Sequence, residues 1–207
     1  MDLPHLHLRQ DSCQLNFKFY FMKTFSKISL AVLSAILLIS FHPAGKVSKL
    51  VADKSKSYIT YYMSHPAHDW SGTCKGISCN IVYNDSLKSI NAVAMVCAVS
   101  CFNSDNASRD SHTLEVTEAL KYPMVKFVST SIANKDSVLT VKGNLTFHNV
   151  TKPISFQAKK RYVGKEMSVS GAFSFKMTDY NIAPPTMMMV ATKDEVKLEF
   201  SAAFKVN

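Results

Sequence analysis

His65, His68 and Asp69 stand close enough together to suggest a metal site. Imidazole and carboxylate are ordinary zinc ligands. An i, i+3, i+4 spacing gathers them only on a helix, however, and Pro66 and Gly72 argue against a helix there. Hydrogen-bonded loop residues at a barrel rim are the competing reading. A second group, Arg109, Asp110, His112 and Glu115 with the more distant His148, supplies acids and bases. An enzyme acting on a lipid could use them. Asp110 and His112 are two apart, so they face different ways on a helix. The sequence contains no Gly-x-Ser-x-Gly elbow, His-Glu-x-x-His pair or phosphate-binding loop. No catalytic residue is assigned. Met187, Met188 and Met189 form a third group. Thioethers bind copper(I) outside the cytoplasm, but three adjacent residues of an extended chain cannot all face one ion. They better suit a flexible apolar lid. A haem or metal carrier built on these His or Met residues stays as the alternative reading, with no metal or cofactor assigned.

The fourth group is Cys74, Cys79, Cys97 and Cys101. An even number of thiols in an exported chain favours disulfides. Opposed residues of an antiparallel pair keep a constant sum of residue numbers. Cys74–Cys101 and Cys79–Cys97 both fit one hairpin turning near residues 84–88, with a one-residue slip that a bulge at Gly76 absorbs. Each bridge would contribute about 3 kcal/mol if unstrained. The rival is a four-cysteine zinc site, whose spacing here is looser than a two-residue knuckle.

Export is read from the N-terminal region. Ile28 to Phe41 is an uncharged apolar run preceded by Met22, Lys23 and Lys27. That is the make-up of a signal peptide, and the run is short for a bilayer span. The expected organisation is an upstream extension over 1–21, a signal peptide over 22–44 and one domain over 45–207. The protein is then exported, periplasmic or secreted. The 207 residues carry a net charge of +9. The lysines are scattered along the sequence rather than blocked, which suits solvated strand faces. Nucleic acid is excluded as a partner on that ground. Transient contact with a membrane surface is left open.

Most of the domain must be strand. Period-two alternation predicts strands over 57–64, 76–83, 89–100, 124–132, 138–147, 150–162, 167–175 and 196–206. His65 to Gly72 reads as a loop. Arg109 to Pro123 reads as the one short helix, with Asp110 or Ser111 as N-cap and Leu114, Ala119 and Leu120 on one face. Pro123 ends it. Short turns join most strands, so the order is up-and-down, and closing the sheet removes its edges. The fold class is all-β, an eight-stranded antiparallel barrel. Leu139, Val141, Leu145, Phe147, Phe156, Val169, Phe173, Phe175, Leu198, Phe200 and Phe204 point inward. Gly143 and Gly171 lie in the same rows. Small residues among large ones signal either a tapering core or a channel.

Several stretches together resemble the YceI-like family of exported, lipocalin-like barrels. They are Asn106-Ala-Ser-Arg109-Asp110-Ser-His112, Lys121-Tyr122-Pro123 leading into Val125-Lys-Phe127, Gly143-Asn-Leu-Thr-Phe-His148-Asn-Val-Thr151-Lys152-Pro153, and Asp179-Tyr180-Asn181-Ile182. Asn149 stands where the family usually has glycine, and the four cysteines are not part of its pattern. The resemblance implies an eight-stranded antiparallel up-and-down lipocalin-like barrel with one helix. It also implies a polyisoprenoid or other long amphiphilic lipid in the bore, no enzyme activity, and motif residues that shape the helix and turns.

Overall fold

The structure is a computed structural model that describes residues 46–187 and 189–206. The expected upstream extension and signal peptide lie outside the described residues. The strands are β1 (Val47–Val51), β2 (Tyr58–His65), β3 (His68–Lys75), β4 (Ser78–Asn84), β5 (Ser89–Ala98), β6 (Phe102–Asn103), β7 (Met124–Lys135), β8 (Val138–Phe147), β9 (Val150–Val163), β10 (Glu166–Lys176), β11 (Thr186–Met187), β12 (Val190–Ala191) and β13 (Glu195–Lys205). Among the described residues one α-helix, α1 (Ala107–Val116), lies between β6 and β7.

Eleven strands form a single sheet in the order β1-β4-β5-β7-β8-β9-β10-β13-β2-β3-β6. β11 and β12 make a separate two-stranded ribbon. The sheet curls through 279° into an open half-barrel. This corrects the expected closed eight-stranded barrel. Among the described residues β1 pairs only with β4 and β6 only with β3, so no ladder joins the two edges.

The extra strands have local causes. Pro66-Ala67 makes a two-residue turn with His65 opposite His68, so the supposed 65–72 loop is the tip of a hairpin and the first part of β3. Gly72 supports that pairing. A Cβ there would meet the Tyr61 ring at 2.5 Å, so only glycine lets β3 pass the aromatic ring. β1 is short and alternates exposed with half-buried residues, and β6 is two residues long. Neither carries enough apolar periodicity to stand out in the sequence.

The seam between the edges is crossed in two places. Cys74 of β3 is bonded to Cys101, in a short 3-10 turn (Val99–Cys101) that follows β5, with Cα atoms 5.0 Å apart. At the other end the Asp53 N–H donates to the Ala203 carbonyl and the Ala52 N–H to the Cys79 carbonyl, both at 2.8 Å. The chain leaving β1 thereby ties β4 to β13.

The two ends of the half-barrel differ. One holds α1, the turn after it, the His148-Asn149 turn and the connection from β10 to β13. The other holds the hairpin turns at 85–88, 136–137 and 164–165. Tyr83 and Tyr162 meet across this second end, hydroxyl to hydroxyl at 3.0 Å. Asn134 bonds both the N–H and the carbonyl of Ile90, each at 2.9 Å. Met167, Leu139 and Phe204 are fully buried beneath them. This end is closed.

The helix differs from expectation in its limits. Asn106 is the N-cap and accepts from the Arg109 N–H at 3.0 Å. Asp110 instead accepts from the Ser104 N–H at 3.1 Å. The helix stops at Val116 because Glu118 takes positive φ. Ala119 and Leu120 therefore lie outside it, and Leu120 is fully exposed. The face turned inward is Arg109, His112, Thr113 and Val116, spaced i, i+3, i+4, i+7.

Candidate ligand cavity

The inward rows of the curled sheet surround a cavity of about 240 Å³. Leu139, Val141, Leu145, Phe147, Phe156, Val169, Phe173, Phe175, Leu198, Phe200 and Phe204 all border it. Alternation puts them there: β8, β9, β10 and β13 each send every second side chain to the concave face. Phe147, Phe156, Phe173, Phe175 and Phe200 are only half-buried although they point inward, because the space in front of them is empty. Their rings touch along the wall. Phe156 stacks on Phe173 at 5.0 Å and meets Phe200 edge-on at 5.6 Å, while Phe147 meets Phe175 edge-on at 6.0 Å.

The glycines in these rows seat the rings. A Cβ on Gly143 would stand 2.5 Å from Phe127, and one on Gly171 would stand 2.8 Å from Phe200. Each ring lies flat on the backbone of the neighbouring strand and leaves the centre open.

Polar groups reach the cavity at the helix end. Arg109, His112, Thr113 and Thr117 line it there, and the exposed His112 marks where it meets solvent. Trp70 stands beside them, with the Arg109 guanidinium 5.6 Å above its ring. Tyr61 lies deeper, almost completely buried, and its hydroxyl has no hydrogen-bond partner among the described residues. Thr113 and Ser104 are its polar neighbours, and burial raises its phenol pKa above the ordinary value. An unpaired buried hydroxyl costs on the order of 1–3 kcal/mol. The cavity is thus apolar along its walls, stopped at one end by Tyr83 and Tyr162, with its polar groups gathered in a neck at the helix end.

Tyr61 and Trp70 escape a reading of the sequence alone for different reasons. Tyr61 belongs to the row Ile59, Tyr61, Met63, which alternates in SYITYYMS and was detectable by its period. Trp70 was hidden because its segment carries Pro66 and Gly72 and reads as loop.

The cysteines follow half of the expected pairing. Cys74–Cys101 exists, but across the seam rather than within the β4–β5 hairpin. Cys79 and Cys97 are free and buried, contrary to the expected bridge. The ladder sets Cys79 opposite Met95. Cys97 is therefore a diagonal neighbour, about 7–8 Å away, beyond the reach of a disulfide. Both thiols border the cavity. Burial pushes Cys79 up to about 12 and Cys97 up to about 11.

The His65 imidazole is engaged at both nitrogens. Nδ1 accepts from the Ala67 N–H at 3.1 Å, so Nε2 carries the proton and donates to the Val190 carbonyl at 3.2 Å. His65 thereby pins the β2–β3 tip to β12. His68 is exposed, its ring 5.4 Å from Trp70. Among the described residues no three His, Cys, Asp or Glu side chains converge as metal ligands do.

Of the methionine trio, Met189 is fully exposed with positive φ, and it does not border the cavity. Met188 and the side chain of Met187 lie outside what is described. The same connection reaches the cavity through Met177, Ile182 and Pro185 instead.

Three motif stretches that are far apart in sequence meet at the helix end. The His148 Nδ1–H donates to the Tyr180 carbonyl at 2.9 Å. Its Nε2 stands 3.3 Å from a Glu118 carboxylate oxygen, without hydrogen-bond alignment. The Tyr122 ring meets its edge at 4.6 Å. His148 and Asn149 both take positive φ, which turns β8 into β9 in two residues. His148 is thus a clamp between the turn after α1 and the connection from β10 to β13.

A model of the YceI-like domain matches residues 50–204. Protein YceI of Salmonella newport (strain SL254) is 24% identical over 159 residues, covering 72% of this chain and 83% of that protein. Among solved structures, BcnA of Burkholderia cenocepacia superposes with a TM-score of 0.66 at 19% identity, over 73% of this chain and 98% of the other. A polyisoprenoid-binding domain from Saccharophagus degradans does so with a TM-score of 0.61 at 13% identity, over 78% and 100%. The YceI protein of Campylobacter jejuni gives 0.58 at 20% identity, over 66% and 84%. With the family pattern running through nearly the whole curled sheet, this chain belongs to the YceI-like family.

Proposed function

We propose that the protein is an exported, non-enzymatic carrier that holds the tail of an isoprenoid or other amphiphilic lipid in the half-barrel. One observation carries this reading: an apolar cavity whose polar groups are gathered at one end. A tail and head group divide in the same way. The similarity to the polyisoprenoid-binding domain of Saccharophagus degradans supports it. Export is supported by the Ile28–Phe41 run and by the Cys74–Cys101 bridge, which needs an oxidising compartment.

The volume limits how much tail is held. A cavity of about 150 Å³ accommodates benzene, so 240 Å³ takes roughly ten carbons. At about 0.8 kcal/mol per carbon this gives roughly 8 kcal/mol gross. Association costs of about 4 kcal/mol or more come off that figure. A longer tail must leave through the neck or spread the seam. At the neck Arg109 offers a positive charge to a head group, and the Tyr61 hydroxyl below it is a donor without a partner among the described residues.

The test is native mass spectrometry of the delipidated protein after exposure to a membrane lipid extract. A discrete lipid adduct in the native protein, absent from an Ala202→Phe variant, is the expected result. Ala202 is buried and borders the cavity, so the added ring fills it. A protein that stays lipid-free under these conditions would refute the carrier reading.

A further inference from the structure

Lysines that look scattered in the sequence are gathered in space. Around the closed end stand Lys54, Lys88, Lys160, Arg161, Lys165 and Lys205, together with Lys46, Lys56, Lys135 and Lys159, against only Asp53, Asp85, Asp136 and Glu166 among the described residues. Glu166 is already paired with Lys56. At the neck end the signs balance: Asp69, Asp110, Glu115, Glu118, Asp179 and Glu195 offset the lysines and Arg109 there. The positive excess of the domain therefore sits at one pole, on the side away from the neck.

The same pole exposes apolar turn tips. Leu87 is 74% exposed, Val163 66% and Val47 56%. Leu87 precedes Lys88, Val163 stands two residues before Lys165, and Val47 follows Lys46. Apolar tips ringed by lysines suit the boundary between lipid head groups and acyl chains. Lys46 is held at this end, where its carbonyl accepts from the Asp85 N–H at 3.1 Å.

We propose that the closed, basic end of the half-barrel docks on an anionic lipid bilayer and leaves the neck facing away from it. Charge complementarity selects the partner, and the exposed apolar tips Leu87, Val163 and Val47 select a bilayer over a soluble polyanion. The inference does not require that the cavity hold a lipid.

The test uses flotation with two vesicle types, phosphatidylcholine alone and phosphatidylcholine with about one-third phosphatidylglycerol. The protein should float with the anionic vesicles only and be released by salt. The triple variant Lys88→Glu, Lys165→Glu, Lys205→Glu should bind them at least roughly a hundredfold more weakly, at about fivefold per lysine. The matched variant Lys126→Glu, Lys152→Glu, Lys193→Glu changes net charge equally at the other end, and should stay within roughly threefold of the parent. All six are exposed lysines, and circular dichroism checks that each variant folds. Equal losses in the two variants would overturn the proposal. So would equal binding to neutral vesicles, or retention on immobilised heparin with no vesicle binding at all.

Discussion

His148 shows how a residue that looks catalytic can be structural. Its ring joins the Tyr180 carbonyl, Glu118 and the Tyr122 face, so its loss opens a joint rather than stopping a reaction. His148→Ala should lower stability by about 1–3 kcal/mol, as a lost buried hydrogen bond does, measured by urea unfolding. The free thiols give a second prediction. A thiol pKa raised from about 9 favours the folded protein while the group stays protonated. That contribution is complete below about pH 9 and is lost as pH rises through 11 and 12. Stability should fall over that alkaline window, and more shallowly in a Cys79→Ala, Cys97→Ala variant. At neutral pH both thiols should resist maleimide until the protein is unfolded, as read by peptide mass spectrometry. Early labelling would show that the β4–β5 wall opens.

At the scale of elements, the seam is the weak line of the sheet and the Cys74–Cys101 bond crosses it. Closing a segment with a sequence separation of 27 is worth about 3–4 kcal/mol on loop entropy. A Cys74→Ser, Cys101→Ser variant should lose about that much in denaturant unfolding, with β3 and β6 the first amides to exchange. The long alternating strands β8, β9, β10 and β13 were legible because each repeats its period over many residues. β1 and β6 were too short to show one, and the β2–β3 hairpin was masked by Pro66, which serves its turn. The disulfide pair was found through a register argument that placed Cys74 on the wrong strand. The ladder itself depends on contacts between distant segments, and residue numbers do not carry it. The helix limits failed likewise, because Asp110 is committed to Ser104 and Asn106 caps instead.

On the scale of the whole molecule, cavity and charge divide the half-barrel between its two ends. Ala202→Phe should abolish uptake of a fluorescent fatty ligand while shifting unfolding little. The single tryptophan, at the neck, should report parent binding by a change in emission. A variant that still binds would place the tail elsewhere. The distribution of lysines was invisible in the sequence, because turns that are neighbours at the closed end are separated by dozens of residues.

On the carrier reading, the Tyr83–Tyr162 contact stops one end of the cavity, and a tail enters and leaves at the other. An occupant held by its tail would then set the timing of its own departure. Each further methylene held inside multiplies the dwell time by roughly fourfold, at about 0.8 kcal/mol apiece. Short and long chains of the same head group would then be sorted by a clock, with no shape filter needed at the rim.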